Sequence, residues 1–359
     1  MKRLLIALSI IICQLSFSST GAQAQTQVSG YAPGVTPDGA TFFLPKTAIR
    51  ISVLTEKTTD RPGEYAAYAQ RFLRLNNIST ETSESYRVIS ISQTAIGVAD
   101  TTKAYTVKFS PKTAAINVAL AQDGTLLAIN GEAKEQVLPQ PFQAAPKMLL
   151  PDPHRFQNQE ILAAGSLAKM AQLTAEEIYD LRENRSLLIK GQADFMPQDG
   201  QQMKLMLNQL DQQDRALTSM FAGTTVSDTT EYVFYVVPDK DIEGQTLFRF
   251  SRHFGLVDAD DLSGAPYTIA VTDLKSVPMA APANKKKKAE NGLYYNVPGR
   301  LRSVISQGTT ILSQEEMPAA QFGHVELLVG DLFNKHYGTH LWLDPVTGAI
   351  NKLEAEQPK

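Results

Sequence analysis

The 359-residue chain has one cysteine, Cys13, inside the apolar run Leu4–Cys13 (LLIALSIIIC). Downstream of it no disulfide and no thiol chemistry is available, so the rest of the chain must be held together by its core alone. The run itself has the form of an export leader. Lys2 and Arg3 precede it, and Ala22-Gln23-Ala24 follows as a small-x-small site. Ten apolar residues fall short of the roughly 20 that a spanning helix needs. A lipid-modified cysteine needs small residues immediately before it, whereas Cys13 follows Ile10, Ile11 and Ile12. The expectation is a signal peptide, residues 1–24, removed after Ala24, and a periplasmic or outer-surface address with no transmembrane segment in the mature chain.

A remainder this long can bury a sizeable core without covalent staples, usually as two domains. Hydrophobic residues make up 43 % and charged residues 20 %, which is ordinary globular composition. The net charge of −3 becomes more negative once Lys2 and Arg3 are gone, and this excludes a nucleic-acid footprint.

Residues 25–45 are rich in Gly, Pro and Thr and read as a flexible lead. Thr47–Thr55 alternates, with Ile49, Ile51 and Val53 on one face of a half-buried strand. Asp60 and Pro62 suit a helix start, and Tyr65, Tyr68, Ala69, Phe72 and Leu75 follow at helical spacing. Between Ser85 and Asn130 four short strands are expected, the last two joined by an Asp123-Gly124 hairpin turn. The proline-rich stretch 138–153 is an irregular connector. Residues 156–222 predict a helical pair. Thr174 and Glu177 have capping-box spacing, and Gly191 stops the first helix. The second begins near Pro197 or Gly200, carries Met203, Met206, Leu207, Leu210, Leu217 and Met220, and stops at Gly223. Gln213-Asp214 interrupts that stripe, which points to packing on a sheet or helix rather than a long coiled coil.

From Thr224 onward, short strand-like segments at close spacing suggest a β-sandwich. Asp344-Pro-Val-Thr-Gly348 supplies turn chemistry between two of them. Residues 277–292, with Lys285 to Lys288 in a row, predict a solvated flexible loop. The expected fold class is therefore α+β. A β-rich N-terminal part carries one helix, a central helical pair follows, and a C-terminal sandwich-like domain closes the chain. The expected domains are 46–223 and 224–359.

Six stretches carry a family resemblance in combination: 42–73, 103–109, 178–191, 292–300 (GLYYNVPGR), 320–328 (AQFGHVELL) and 343–354 (LDPVTGAINKLE). Together they resemble an exported family of gut Bacteroidetes, domain of unknown function 4831, over nearly the whole mature chain. The resemblance implies export and an envelope setting. It implies no specific activity and brings no catalytic residue.

The chemistry-bearing patterns are sparse. Ser166-Leu-Ala-Lys169 matches the S-x-x-K of penicillin-recognising serine enzymes, in which the lysine takes the serine proton one helical turn away. The partner motifs are missing: Ser227-Asp228-Thr229 lacks the asparagine of S-D-N, and there is no K-T-G. Asp258, Asp260 and Asp261 cluster as a calcium loop would, without the glycine and terminal glutamate of that loop. His336 and His340 have zinc spacing, but Gly338 and Thr339 between them argue against a helix. No nucleophile elbow, phosphate loop or dinucleotide fingerprint is present. The single tryptophan, Trp342, sits in a strand pattern, where burial and display are both open. No cofactor is expected. The expected function is a non-enzymatic binding or assembly module of the cell envelope, its partner an envelope protein or surface polymer. The alternative is a hydrolase of glycan or peptidoglycan built on Ser166 and Lys169.

Overall fold

The computed structural model describes residues 33–36, 39–108, 117–146, 151–278, 292–329 and 338–356. Cys13, the leader, Lys285 to Lys288 and His336 lie outside these residues. The chain is strand-rich α+β with several antiparallel sheets, as expected.

Strand β1 (Gly34–Thr36) pairs antiparallel with the start of β2 (Gly39–Arg61). After a 3-10 turn and the short helix α1 (Ala69–Leu73), β3 (Ser83–Lys108) returns along the full length of β2. A small hairpin follows, β4 (Val118–Leu120) and β5 (Leu126–Ile129), turned at Gly124 with φ of 83°. Then come α2 (Gln159–Leu162), α3 (Leu167–Lys190) and α4 (Gly200–Ala222). The strands resume with β6 (Thr224–Val236), β7 (Ile242–Ser251), β8 (Gly255–Val257) and β9 (Ala265–Asp273). Strands β10 (Gly292–Gln307), β11 (Thr310–Val329), β12 (Gly338–Leu343) and β13 (Ile350–Glu356) close the chain.

Three sheets result. In the first, β3 lies along one edge of β2, and β1 and β6 lie along the other. The second has the order β11-β10-β9-β7-β8, and the third β13-β12-β5-β4. The first two form a sandwich: Ile49, Ile51 and Val53 of β2 pack on Phe248, Tyr267, Ile269 and Leu301. The third closes a second core over Phe42 and Leu44, with Leu126, Ile129 and Leu341. Single strands therefore serve two cores. Strand β2 shifts register between Phe43 and Leu44, and β10 between Val297 and Gly299, and these bulges bend each strand from one core into the other. Where they meet, the fully buried Asn296 donates to the carbonyls of Pro45 and Thr347, at 2.8 and 2.7 Å.

Several expectations are corrected. Residues 39–45 are not a flexible lead but a buried strand, because Ala40, Phe42 and Leu44 fill the second core. Strand β2 is buried on both faces rather than one. Its second face carries Arg50 and Ser52, which bind the Glu231 carboxylate at 3.0 and 2.5 Å. The connector 131–146 crosses over this face. The Gln136 side-chain amide brackets the Gly97 backbone with two 2.9 Å bonds, and the Phe142 N–H donates to Glu231 at 2.7 Å. The boundary expected at residue 223 falls inside one sheet, since β6 pairs with β2 from Thr224 to Val236. Sheet pairing at that sequence distance leaves no local signal. The helix expected after Pro62 shortens to α1, because β2 continues to Arg61 and Asp60 binds the Ser83 and Thr225 hydroxyls.

Candidate functional site

The helical layer grows from the end of the β2–β6 ladder. Arg61 pairs with Thr224, and Gly63 and Gly223 let the two segments leave the ladder side by side. A Cβ on Gly63 would stand 2.2 Å from the Met220 carbonyl oxygen, and Gly223 has φ of 78°. Between these points lie α3 and α4, an antiparallel pair of 24 and 23 residues, each about 35 Å long at 1.5 Å per residue. Each end is capped. The Ser166 hydroxyl accepts from the Lys169 N–H at 3.3 Å, and Asp199 accepts from the Gln202 N–H at 2.7 Å. Gly191 closes α3 in the left-handed region, and α4 ends at Gly223, as the sequence predicts.

The base of this hairpin is closed. Helix α4 buries only Ala216, Leu217, Met220 and Phe221, all in its last two turns. They meet Ala171, Ala175, Ile178 and Leu181 of α3, and the furrow between the helices is filled by Tyr65, Ala69 and Leu73. The Tyr65 ring lies 5.3 Å from that of Phe221, and its hydroxyl accepts from the buried Gln157 amide at 3.0 Å. Burial pushes the Tyr65 hydroxyl above its ordinary pKa, as a desolvated phenol requires.

A polar girdle marks the end of this closed region. Arg182 binds Asp214 at 3.0 Å and the Thr218 hydroxyl at 3.2 Å, and Arg185 pairs with Asp211. Beyond the girdle the furrow continues, and none of the described residues is seated in it. Its volume is about 480 Å³. Asn184, Leu187 and Leu188 of α3 form one wall, and Met206, Gln209, Leu210 and Gln213 of α4 the other. Ala193, Asp194 and Phe195 close the tip. Around it Ile189 is 56 % exposed, Phe195 66 % and Leu205 70 %. The hairpin thus ends in an apolar furrow with further exposed apolar side chains on the same two helices and their connecting loop, the kind of surface that marks interaction sites.

The candidates named from the sequence lie elsewhere. Ser166 and Lys169 are exposed, and the serine oxygen is engaged as a helix cap. Helix α3 begins there rather than at Thr174, which sits buried in mid-helix donating to the Met170 carbonyl at 2.9 Å. Asp258, Asp260 and Asp261 form an exposed turn. The Asp261 carboxylate accepts from the Ser263 N–H at 2.9 Å, which holds it below its ordinary pKa. Among the described residues no group of three His, Cys, Asp or Glu is placed to hold a metal. His340 and Trp342 lie on β12, their rings stacked at 6.0 Å, with Lys352 Nζ 5.0 Å from the indole centroid. His340, Asn130 and Glu132 line an open groove of about 730 Å³ at the edge of the third sheet.

One further cluster carried no sequence signal. On β10 and β11 the Glu326 carboxylate accepts from the Tyr295 hydroxyl at 2.7 Å and lies 2.9 Å from His324 Nε2. Burial and that carboxylate push the Tyr295 hydroxyl up to about 12, and the His324 and Tyr295 contacts hold Glu326 low. The three residues come from facing strands whose register no single segment reveals.

Among the described residues no helix is long and apolar enough to cross a membrane. No curated protein and no solved structure matches the chain. One family model does, Domain of unknown function (DUF4831), over residues 38–351, a span that holds the hairpin and all the sheet strands except β1 and most of β13, so the chain belongs to the DUF4831 family.

Proposed function

We propose that the protein is an exported cell-envelope module without catalytic activity, which binds another protein through the outer half of its helical hairpin. The leader pattern at residues 1–24, with cleavage after Ala24, supports the address. The observation that carries the binding role is the apolar furrow beyond the Arg182–Asp214 and Arg185–Asp211 girdle, lined by Leu187, Leu188, Met206 and Leu210. A hydrolase built on Ser166 would need that hydroxyl aimed at a substrate cleft with Lys169 as its base. The serine instead caps α3, and neither residue lines the two grooves described above.

The test is crosslinking in cells of the native host. The tagged full chain is compared with a Leu187→Asp, Met206→Asp double variant whose melting temperature is checked alongside. A stoichiometric adduct to another protein, lost in the folded double variant, is the expected result. Absence of any adduct, or an adduct indifferent to the substitutions, contradicts the proposal. A mature chain beginning at Gln25 is expected in the same eluate, and a lipid-modified Cys13 would overturn the leader assignment.

A further inference from the structure

We infer that the occupant of the outer furrow is an amphipathic α-helix of a partner protein, its apolar side chains spaced about four residues apart and its N-terminal end toward Asp194. This rests on the docking role proposed above and adds to it the chemistry of what docks.

The furrow walls are two helices whose backbone groups are satisfied within their own turns. An extended peptide laid between them would bury unpaired N–H and C=O groups against Leu187, Leu188, Met206 and Leu210. Strand addition works at an open sheet edge, and among the described residues no sheet edge lines this furrow. An occupant that satisfies its own backbone is a helix. A second copy of the hairpin fits poorly, because it would set one concave furrow against another and leave both unfilled.

The base of the same hairpin supplies the template. There the furrow between α3 and α4 is filled by this chain's own helical segment, through Tyr65, Ala69 and Leu73. The spacing is i, i+4, i+8, with a small residue between two large ones. Leu210 continues the row of Leu217, Met220 and Phe221 into the outer half, and Leu188 continues that of Ile178 and Leu181. The occupant therefore meets the same ridge geometry. Methionine at 206 adds an adaptable surface. The charge at the closed end is the Asp194 carboxylate, which lines the furrow and favours the positive end of a helix.

The experiment places a photo-reactive residue at Met206, inside the furrow, and as a control at Gln212, exposed on α4 and outside it. The full chain is irradiated in its native host, and the joined peptide is sequenced by mass spectrometry. The expected result is one discrete adduct from position 206 and none from 212. The joined peptide carries apolar residues at three- to four-residue spacing, and Asp194→Lys lowers its yield several-fold. A joined peptide without that spacing, a second copy of this chain, or a lipid or small molecule would overturn the helix assignment and leave a docking site standing. No adduct from either position would contradict the docking role itself.

Discussion

The inner and outer halves of the α3–α4 hairpin are built from the same two helices and meet different fates. In the inner half, Leu181, Leu217, Met220 and Phe221 are closed over by Tyr65, Ala69 and Leu73. In the outer half, Leu188 is still buried at the furrow floor and Leu210 still packs on the closed core, but Leu187 and Met206 line an open furrow, and Phe195 and Leu205 stand largely in solvent. Helix propensity and capping are sound in both halves, so the difference is not one of helix quality. It lies in the third element, which the described residues provide at the base and not beyond the girdle. Two helices without a third can persist through caps and ion pairs, but their apolar stripe is left for something else to cover.

The largest expected effects separate these halves. Phe221→Ala removes a fully buried ring and should cost about 3–5 kcal/mol in denaturant unfolding. Leu205→Ala, on the same helix, should stay within about 0.5 kcal/mol. If Leu205→Ala approached Phe221→Ala, the outer half would be core and the contrast would fail. Next, Gln157→Ala leaves the Tyr65 hydroxyl buried without its donor and should cost about 1–3 kcal/mol, read as a lowered melting temperature. Ser166→Ala should cost about 1 kcal/mol as a lost cap and no more. Loss of a measurable hydrolytic activity in that variant would instead restore the serine as a nucleophile.

The helical pair was largely legible in the sequence. Gly191, Gly200 and Gly223 punctuate it, and the Met203–Met220 stripe gives the packed face. The interruption at Gln213-Asp214 was also a true signal, since it coincides with the girdle where Asp214 meets Arg182. The openness of the furrow was not legible, because which element covers a helix face is a tertiary fact that the residues of the helices do not carry. The sheets fared differently. The segments GLYYNVP and RLRSVIS look like two strands, yet they form the single strand β10, with Pro298 absorbed at the bulge between Val297 and Gly299. The supposed lead reads as polar because Phe42 and Leu44 are flanked by Gly, Pro and Thr, and only the second core explains their burial. Start sites were ambiguous where two caps compete. Thr174 has the capping pattern, but Leu167 to Leu173 can continue a helix backward, and the Ser166 cap prevails.

The smallest expected effect is local and depends on pH. The Phe142 N–H, the Ser52 hydroxyl and then Arg50 hold the Glu231 carboxylate below its ordinary value of 4.5. A carboxylate depressed in the folded state stabilises that state above its unfolded pKa, and the contribution is lost as pH falls through the lower folded value. Limited proteolysis within residues 137–146 should therefore be slow near neutrality and rise only below about pH 4.5. Glu231→Gln should weaken the pH dependence and speed cleavage near neutrality. This connector also exposes apolar residues, with Val137 96 % accessible, but unlike the outer furrow it offers no walls in which a partner could seat.

The most direct test of the contrast is hydrogen exchange along α3 and α4 in the isolated chain. The account predicts strong protection for amides 171–181 and 214–221, and exchange that is faster by orders of magnitude at 184–190 and 203–210. Uniform protection along both helices would mean that the outer half is closed by the chain itself, and would contradict an unfilled docking furrow.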